Sequence, residues 1–337
     1  DKSEYYVSFS QISDDGMVPT DADSYDKYTF SARGSHKVKA LTFSSSLNYS
    51  YQKNKFATTG QGLTMLNSLY QTPRDVSIIS LQDQNDIFNS PGYFYTPYGV
   101  MNPYYILENY LNEYDAERFY GKFQVDYDFL KYFKFTYRMG LDTTTGQSNR
   151  GEPNLYALFY EGTPNGEGMG SNSPFYGKEG SYSQQITRRR EINQDLLLSF
   201  SMPINDFQIN ALAGFNGNER KYSYLYSSVS KLTIPTWYNL SNSAATPTVE
   251  QYLSLRRLMG VFGQVDLSWR NMLYVTLTAR NDWSSTLPKE NRSFFYPGVT
   301  GSFIFTELLD EDMKDILSFG KVRMAWGKTG NDANVYM

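Results

Sequence analysis

The 337-residue chain contains no cysteine and a single histidine, His36. Without cysteine it cannot form a disulfide framework, a cysteine nucleophile or a thiolate metal site. One histidine cannot supply a two-histidine metal site, and no carboxylate lies close to His36 in the sequence, so we interpret it as a structural residue. The sequence therefore predicts neither a metal centre nor a cofactor, although the lack of cysteine does not define the compartment.

Long apolar runs and strong net charge are also lacking. No stretch of roughly 18 or more apolar residues occurs, so no transmembrane helix is expected, and the strand-like start of the chain does not resemble a signal peptide. The net charge is -4, which gives no reason to expect nucleic-acid binding. The short basic runs Arg188–Arg190 and Arg256–Arg257 are more simply solvated strand ends. A membrane protein is not thereby excluded, because strands of alternating polarity are nearly invisible to hydropathy.

What the chain has in excess is aromatic residues in alternating patterns. It contains 30 Tyr and 22 Phe, residue types that favour strands. In LTFSSSLNYSYQ (41–52) the odd positions except Ser45 are apolar or aromatic and the even positions are small or polar, which indicates a two-faced strand. About eleven strands are expected. The other strong examples are 119–129, 133–142, 207–216, 261–269 and 273–280, and weaker ones lie near 4–11, 25–38, 186–202, 295–306 and 317–328.

Connections of two lengths alternate along the chain. Only a few residues separate the strands near 38–41, 129–133, 202–207 and 269–272. The long connections are about 12–24, 53–115, 146–184, 227–251 and 284–294. If neighbouring strands are antiparallel, the short turns lie at one end and the long loops at the other, as in transmembrane barrels. A soluble β-sandwich fits any single strand, but it fits neither this sorting nor a loop of about sixty residues.

Charged residues fall on the polar side of their strands. Moving one Arg or Lys to a lipid face at the bilayer midplane costs about 2–4 kcal/mol, and a one-residue register slip would expose several charges at once. The pattern predicts that the apolar face meets lipid and that the polar face lines a wet or plugged interior. The candidate lumen-facing residues are Lys122, Asp126, Lys134, Arg138 and Arg280, and Asp266 shares their parity.

The C-terminal part of the chain resembles a known family. The stretches NDWSSTLPKENRSFFYPGVTGSFIFTELL (281–309) and LSFGKVRMAWGKTGND (317–332) are similar to the SusC/RagA family of TonB-linked outer-membrane transporters. The resemblance is specific over about 260–332 and looser, but collinear, over the remainder. It implies an all-β, transmembrane, antiparallel up-and-down barrel of about 22 strands around a plug, of which this chain would supply about half. The plug and the TonB-contacting segment are expected to lie outside residues 1–337.

The resemblance also implies a function and partners. It predicts a TonB-dependent importer of nutrient oligomers, oligosaccharide or oligopeptide, in the outer membrane of a Gram-negative bacterium. A SusD-like surface lipoprotein would cap the barrel, and TonB would act through the plug. The remaining barrel and plug segments, the substrate and outer-membrane lipid would be the other partners. No functional residue transfers from the family motifs.

Two other functions are open from the residues alone. A secreted or surface-exposed soluble β-rich domain could bind or hydrolyse carbohydrate. Hydrolysis would need two carboxylates at a defined separation, but the acidic clusters at 113–117 and 307–315 are more simply solvated connections, so no enzyme activity is predicted. A passive porin would need neither plug nor energy coupling, and the family resemblance argues against it.

The loop PGYFYTPYGVMNPYYILENY (91–110) is the strongest candidate for substrate contact. Tyrosine rings can stack on sugars or pack against peptide side chains, and their hydroxyls bind polar groups. The same rings could instead dock a partner or pack the loop on itself. The candidate substrate- or partner-contacting residues are Tyr93, Phe94, Tyr95, Tyr98, Tyr104 and Tyr105.

Overall fold

A computed structural model describes residues 2–86, 88–89, 101–159 and 175–330. Within them, eleven strands form one antiparallel sheet in sequence order without a crossover. The predicted all-β, up-and-down architecture is confirmed. The strands are β1 (Lys2–Asp14), β2 (Ser24–Val38), β3 (Leu41–Lys55), β4 (Leu111–Phe129), β5 (Phe133–Glu152), β6 (Ser181–Ile204), β7 (Phe207–Ser230), β8 (Thr248–Trp269), β9 (Leu273–Ser284), β10 (Ser293–Ile304) and β11 (Lys321–Gly327).

Four of the five connections at one end of the sheet are tight turns. They are 39–40, 130–132, 205–206 and 270–272. Each contains a residue in the left-handed region, such as Lys39 with φ 52°, which lets the chain reverse within two or three residues. The fifth connection, 305–320, contains the helix α4 (Glu311–Ile316). The alternation of short and long connections therefore fails between β10 and β11.

The opposite end carries five long loops, which are shorter than predicted because the strands continue further. They are 15–23, 56–110, 153–180, 231–247 and 285–292. β7 has 24 residues, but its apolar alternation covers only Phe207–Phe215. Beyond this stretch both faces are largely polar, so apolar and polar residues no longer alternate. The strand ends predicted from that alternation were therefore too early. For the same reason the acidic cluster 113–117, expected in a connection, lies on β4.

Short helices occupy the connections. Besides α4, they are α1 (Met65–Gln71), α2 (Pro103–Asn109) and α3 (Leu155–Phe159), all in the long loops. In the part of the chain that the structure describes, no helix has the length and apolar character needed to cross a membrane.

The apolar face of the sheet is uncovered within the described residues. On β3, Phe43, Leu47 and Tyr49 are 38%, 37% and 39% exposed, whereas the polar residues that alternate with them are half-buried. A sandwich would bury such side chains against a second sheet, and the described strands form a single sheet. On the polar face, Asp126 and Asp195 are only 7% and 5% exposed, which indicates that this is the more sheltered side.

Placing a lysine on the apolar face should impair membrane insertion far more than placing it on the polar face. Leu47→Lys and Leu277→Lys are expected to cost about 2–4 kcal/mol each near the midplane. The matched controls Ser44→Lys and Thr278→Lys, on the polar face of the same strands, should insert nearly as well as the wild type. The heat-dependent mobility of the folded barrel on denaturing gels measures the inserted fraction. Equal losses in both pairs would overturn the assignment of the faces.

Candidate functional site

The polar face holds a buried acid with several partners. The pairing of β4 with β5 places Asp126 opposite Thr136. Thr136 donates from Oγ1 to Asp126 Oδ1 at 2.6 Å, and Gln124 donates from Nε2 to Oδ2 at 2.8 Å. Lys134 Nζ lies 3.6 Å from Oδ1. The carboxylate of Asp126 is therefore satisfied in place, as a sheltered charge must be to avoid a desolvation penalty.

The same arrangement recurs on β8 and β9. Gln264 donates to Asp266 Oδ2 at 2.7 Å, and Thr276 donates to Oδ1 at 2.6 Å. Asp266 and Thr276 are opposite each other in register, because both hairpins close through a three-residue turn. The tripeptide Gln-Val-Asp occurs at 124–126 and 264–266. This repeat could have predicted the hydrogen-bonded acid in both hairpins, which the alternation of polarity alone does not reveal.

Arg138 pairs with an acid on the next strand. Its Nε and Nη2 atoms lie 2.8 and 2.7 Å from Asp195 Oδ2. Asp195 also accepts hydrogen bonds from Asn216 at 2.6 Å and Asn193 at 3.3 Å. The sequence analysis did not identify Asp195, because Leu197 breaks the polar parity beside it.

Arg280 and Lys122 complete the predicted set. Arg280 Nε donates to both carboxylate oxygens of Asp282, at 2.8 and 2.9 Å, and its guanidinium lies 5.3 Å from the ring centroid of Phe262. Lys122 is exposed on the same face, opposite Ser46. All five predicted residues share the polar face, and two of them, Asp126 and Lys134, are in contact. That this face lines a lumen stays a prediction.

The predicted loop aromatics fall into two groups. Tyr93, Phe94, Tyr95 and Tyr98 lie outside the described residues. Tyr104 and Tyr105, on α2, are 7% and 8% exposed, so their rings are buried and are not presented to solvent. The ring of Tyr105 meets that of Phe159 edge-to-face at 5.4 Å, and burial raises the pKa of Tyr105 to about 12.

These buried rings belong to an apolar cluster that joins two loops. Within the cluster, Met101, Tyr105 and Ile106 of loop 56–110 pack against Leu155 and Phe175 of loop 153–180. A second cluster, of Tyr182, Val229 and Leu232, connects loop 231–247 to the wall. The buried apolar clusters of the described chain therefore lie in its loops and at the loop end of its sheet.

Buried asparagine side chains hold these loops in place. Asn102 is 0% exposed; it donates to the carbonyls of Leu81 at 2.8 Å and Asn89 at 2.6 Å and accepts from Tyr104 N–H at 2.9 Å. Asn154 donates to the carbonyl of Leu232 at 2.7 Å. Because each amide satisfies backbone groups that have no strand or helix partner, it fixes a loop path that hydropathy does not reveal.

A cavity of about 730 Å³ lies where these loops meet the polar face. Tyr114 and Arg150 share the parity of the predicted lumen-facing residues. Gly151 is required here, since a Cβ at this position would lie 2.5 Å from the Tyr238 ring, whose hydroxyl donates to the carbonyl of Asn109. The cavity is lined by Phe56, Ala57, Thr58, Thr59, Tyr110, Leu111, Asn112, Tyr114, Ser148, Arg150, Gly151, Glu152, Ser181 and Ser183.

The cavity combines aromatic rings with hydroxyl, amide and charged groups, which is a surface suited to a polar oligomer. Its residues were missed because they lie beyond the apolar stretch, where the alternation no longer marks a face. Among the described residues, no group of three or more His, Asp or Glu side chains could hold a metal ion.

Removing the hydroxyl that serves a buried acid should destabilise the wall. Thr136→Val and Thr276→Val each delete a 2.6 Å hydrogen bond to a carboxylate, and each is expected to lower the free energy of unfolding by about 1–3 kcal/mol. Thr278→Val is the control, because its hydroxyl makes only a 3.4 Å contact to Gly298 O. The unfolding midpoint in denaturant measures the effect. Unchanged midpoints in the first two variants would show that these acids do not depend on their threonines.

No family model matches the sequence, but known proteins are similar to it. TonB-dependent receptor P3 of Formosa agariphila is 22% identical over 98% of this chain and 32% of its own length. TonB-dependent receptor SusC of Bacteroides thetaiotaomicron is 24% identical over 97% of this chain and 32% of its own length. The chain thus spans about a third of the length of the curated relatives it matches.

Solved structures of a transporter and of a receptor share the fold. The RagAB peptide transporter matches with a TM-score of 0.72 at 15% identity, over 98% of this chain and 35% of that one. BauA, the ferric preacinetobactin receptor of Acinetobacter baumannii, matches with a TM-score of 0.50 at 13% identity, over 89% of this chain and 40% of that one. The resemblance predicted from the sequence is confirmed: the chain is similar in sequence to TonB-dependent receptors, SusC among them, and its strands share the fold of a segment of the RagAB transporter.

Proposed function

We propose that the chain forms part of the wall of a TonB-dependent importer of nutrient oligomers in the outer membrane of a Gram-negative bacterium. The observation that carries the proposal is a single sheet with an uncovered apolar face and a hydrogen-bonded polar face. On β7 the apolar stretch Phe207–Phe215 is about 30 Å long, which a tilt of about 40° reduces to about 23 Å. This matches the apolar band of about 25 Å in outer-membrane barrels.

A soluble carbohydrate-binding or hydrolytic domain is the alternative function. It would have to cover the apolar face with other protein, because an exposed face of this size would drive aggregation in water. The relatives named as TonB-dependent receptors also favour import. We therefore propose recognition and passage of a ligand, not catalysis.

The proposal includes partners that complete the barrel and drive it. Within the described residues β1 and β11 are the edges of the sheet, and unpaired strand edges are not stable in hydrocarbon. We propose that further strands close the barrel, that a plug from the same transporter fills it, and that TonB acts on the plug. The chain length, about a third of that of the curated relatives, supports this division.

The substrate is proposed to be an oligosaccharide or an oligopeptide, delivered by a SusD-like surface lipoprotein. The similar solved structures are titled as a RagAB peptide transporter and importer, and one curated relative is SusC. The cavity with Tyr114 and Arg150 offers stacking and hydrogen bonding at the loop end of the polar face. We propose that Tyr93, Phe94, Tyr95 and Tyr98 contact the substrate or the lipoprotein, and that Tyr104 and Tyr105 support that loop.

Co-purification and energy coupling test the transport proposal. The protein is extracted from its native membrane in mild detergent, and mass spectrometry identifies every chain and ligand that accompanies it. We expect a lipoprotein and a bound glycan or peptide, and uptake of that ligand by cells should stop when TonB is removed. Recovery from the soluble fraction, or uptake that persists without TonB, would contradict the proposal.

Aromatic side chains at the loop end should set the affinity for the substrate. Tyr114→Ala, and the double change Tyr93→Ala with Tyr98→Ala, should each raise the concentration for half-maximal uptake by about tenfold, the order of one lost stacking contact. Tyr70→Ala is the control, because Tyr70 is 80% exposed on α1. Tyr105→Ala should instead increase protease cleavage of loop 56–110. Uptake equal to that of the wild type in the first two variants would remove these tyrosines from the site.

A further inference from the structure

The two short basic runs of the sequence become neighbours on the outer, apolar side of the sheet. Alternation sends Arg189 and Arg256 to the polar face, and Arg190 and Arg257 to the apolar face. Arg190 Nη2 and Arg257 Nε lie 2.9 and 2.8 Å from the carboxylate of Glu219 on the strand between them. These charges are therefore gathered at one level of the wall and are not independent strand ends.

This level ends the continuous apolar stretch of the face; nearer the long loops the same face mixes Leu253 and Leu255 with Arg190 and Lys221. In the register of β6 to β8, Ile192, Glu219 and Arg257 form one row across the strands, and Gln194, Gly217 and Met259 form the row below it. Below these rows the same face carries Leu196, Phe215 and Val261, which are 42%, 38% and 49% exposed. The charged group thus lies where the hydrocarbon of a membrane would meet its headgroups, at the end that carries the long loops.

A groove of about 550 Å³ crosses this boundary. Its lower walls are Phe215, Met259 and Trp283, and its upper end is formed by Arg257 and Arg292, with Ile192 at the level of Arg257. Gly217 forms its floor: a Cβ there would meet only the Phe215 ring, at 3.7 Å. The groove is therefore apolar at the end toward the membrane centre and cationic at the end toward the long loops.

We propose that this groove binds a phosphate-bearing lipid of the membrane leaflet on the long-loop side. Arg190 and Arg257 share the single carboxylate of Glu219, and Arg292 also lines the groove, so the upper end has an excess of positive charge. Arginine binds phosphate through paired N–H donors, and the apolar walls below accept an acyl chain. An acidic soluble protein would satisfy only the upper end, since the lower end continues into the membrane-facing band. The inference rests on the proposed membrane orientation.

Lipid titration of the purified protein tests the site. The protein is extracted in mild detergent, stripped of lipid, and titrated by native mass spectrometry with three probes: lipid A, phosphatidylglycerol and the zwitterionic phosphatidylcholine. We expect the first two to bind at least about tenfold more tightly than the third, and the preference between them identifies the lipid class. The double variant Arg257→Gln with Arg292→Gln should bind the phosphate-bearing probes about thirtyfold more weakly, as expected for the loss of two cations at an anionic surface.

A second variant and a matched control separate the groove from general charge effects. Gly217→Leu should fill the groove and weaken binding while leaving every charge in place. Arg270→Gln removes an arginine from the tight turn at the other end of β8, where it pairs with Asp206, and should bind lipid like the wild type. Equal binding of all three probes, or unchanged binding by both groove variants, would overturn the site. So would a co-purifying acidic protein that is lost in the double variant while lipid binding persists.

The result of the lipid-binding experiment can be interpreted independently of the transport proposal. Heat-dependent gel mobility of each variant reports insertion, and lipid binding is measured without TonB or substrate. If the protein inserts and the variants bind lipid like the wild type, the lipid site alone fails. If the protein does not insert in membranes at all, both proposals fail together.

Discussion

The register of the strands is the constraint on which the wall depends. Side chains alternate with a period of two, so the pairing that places Asp126 opposite Thr136 also places Val125 opposite Tyr137 on the other face. A slip of one residue would turn Asp126 and Arg138 toward the membrane and bring apolar rings to the polar side. Membrane compatibility and internal hydrogen bonding are therefore consequences of the same register. The repeated Gln-Val-Asp hairpins specify it twice, in β4–β5 and again in β8–β9.

A sheet whose apolar face is uncovered cannot use that face as a protein core. In the described chain the buried apolar clusters instead lie at the long-loop end, around Tyr105 and around Tyr182. Asn102 and Asn154 fix the conformation of these loops. The hydrogen bonds from each buried amide to backbone carbonyls offset the cost of removing that amide from water. The loops thus form a packed layer at the long-loop end of the sheet, and this packing holds the residues that line the cavity around Tyr114.

The sequence was sufficient for the sheet and its faces because both depend on local alternation. The five predicted charged residues share one face, as their parity requires. It was insufficient where alternation ends: the upper halves of β6 and β7, the cavity around Tyr114, and Asp195 beside the irregular Leu197. The burial of Tyr104 and Tyr105 depends on contacts with Leu155 and Phe175, which are distant in sequence. No local sequence pattern encodes such a contact. The sequence therefore identified a loop rich in aromatic residues but could not predict which of its rings are buried.

The two faces of the wall treat charge differently, and this difference fits two kinds of binding. On the polar face, the carboxylate oxygens of Asp126 and Asp266 accept hydrogen bonds mainly from amides and hydroxyls of their own hairpins, which leaves few free acceptors to hold a ligand tightly. A surface along which a ligand must pass benefits from weak, repeated contacts. On the apolar face, Glu219 is shared by Arg190 and Arg257; in the proposed orientation the excess positive charge lies beside hydrocarbon, where attraction to a phosphate is weakly screened. The alternating sequence can therefore serve both proposed roles, ligand passage along the polar face and lipid binding on the apolar face.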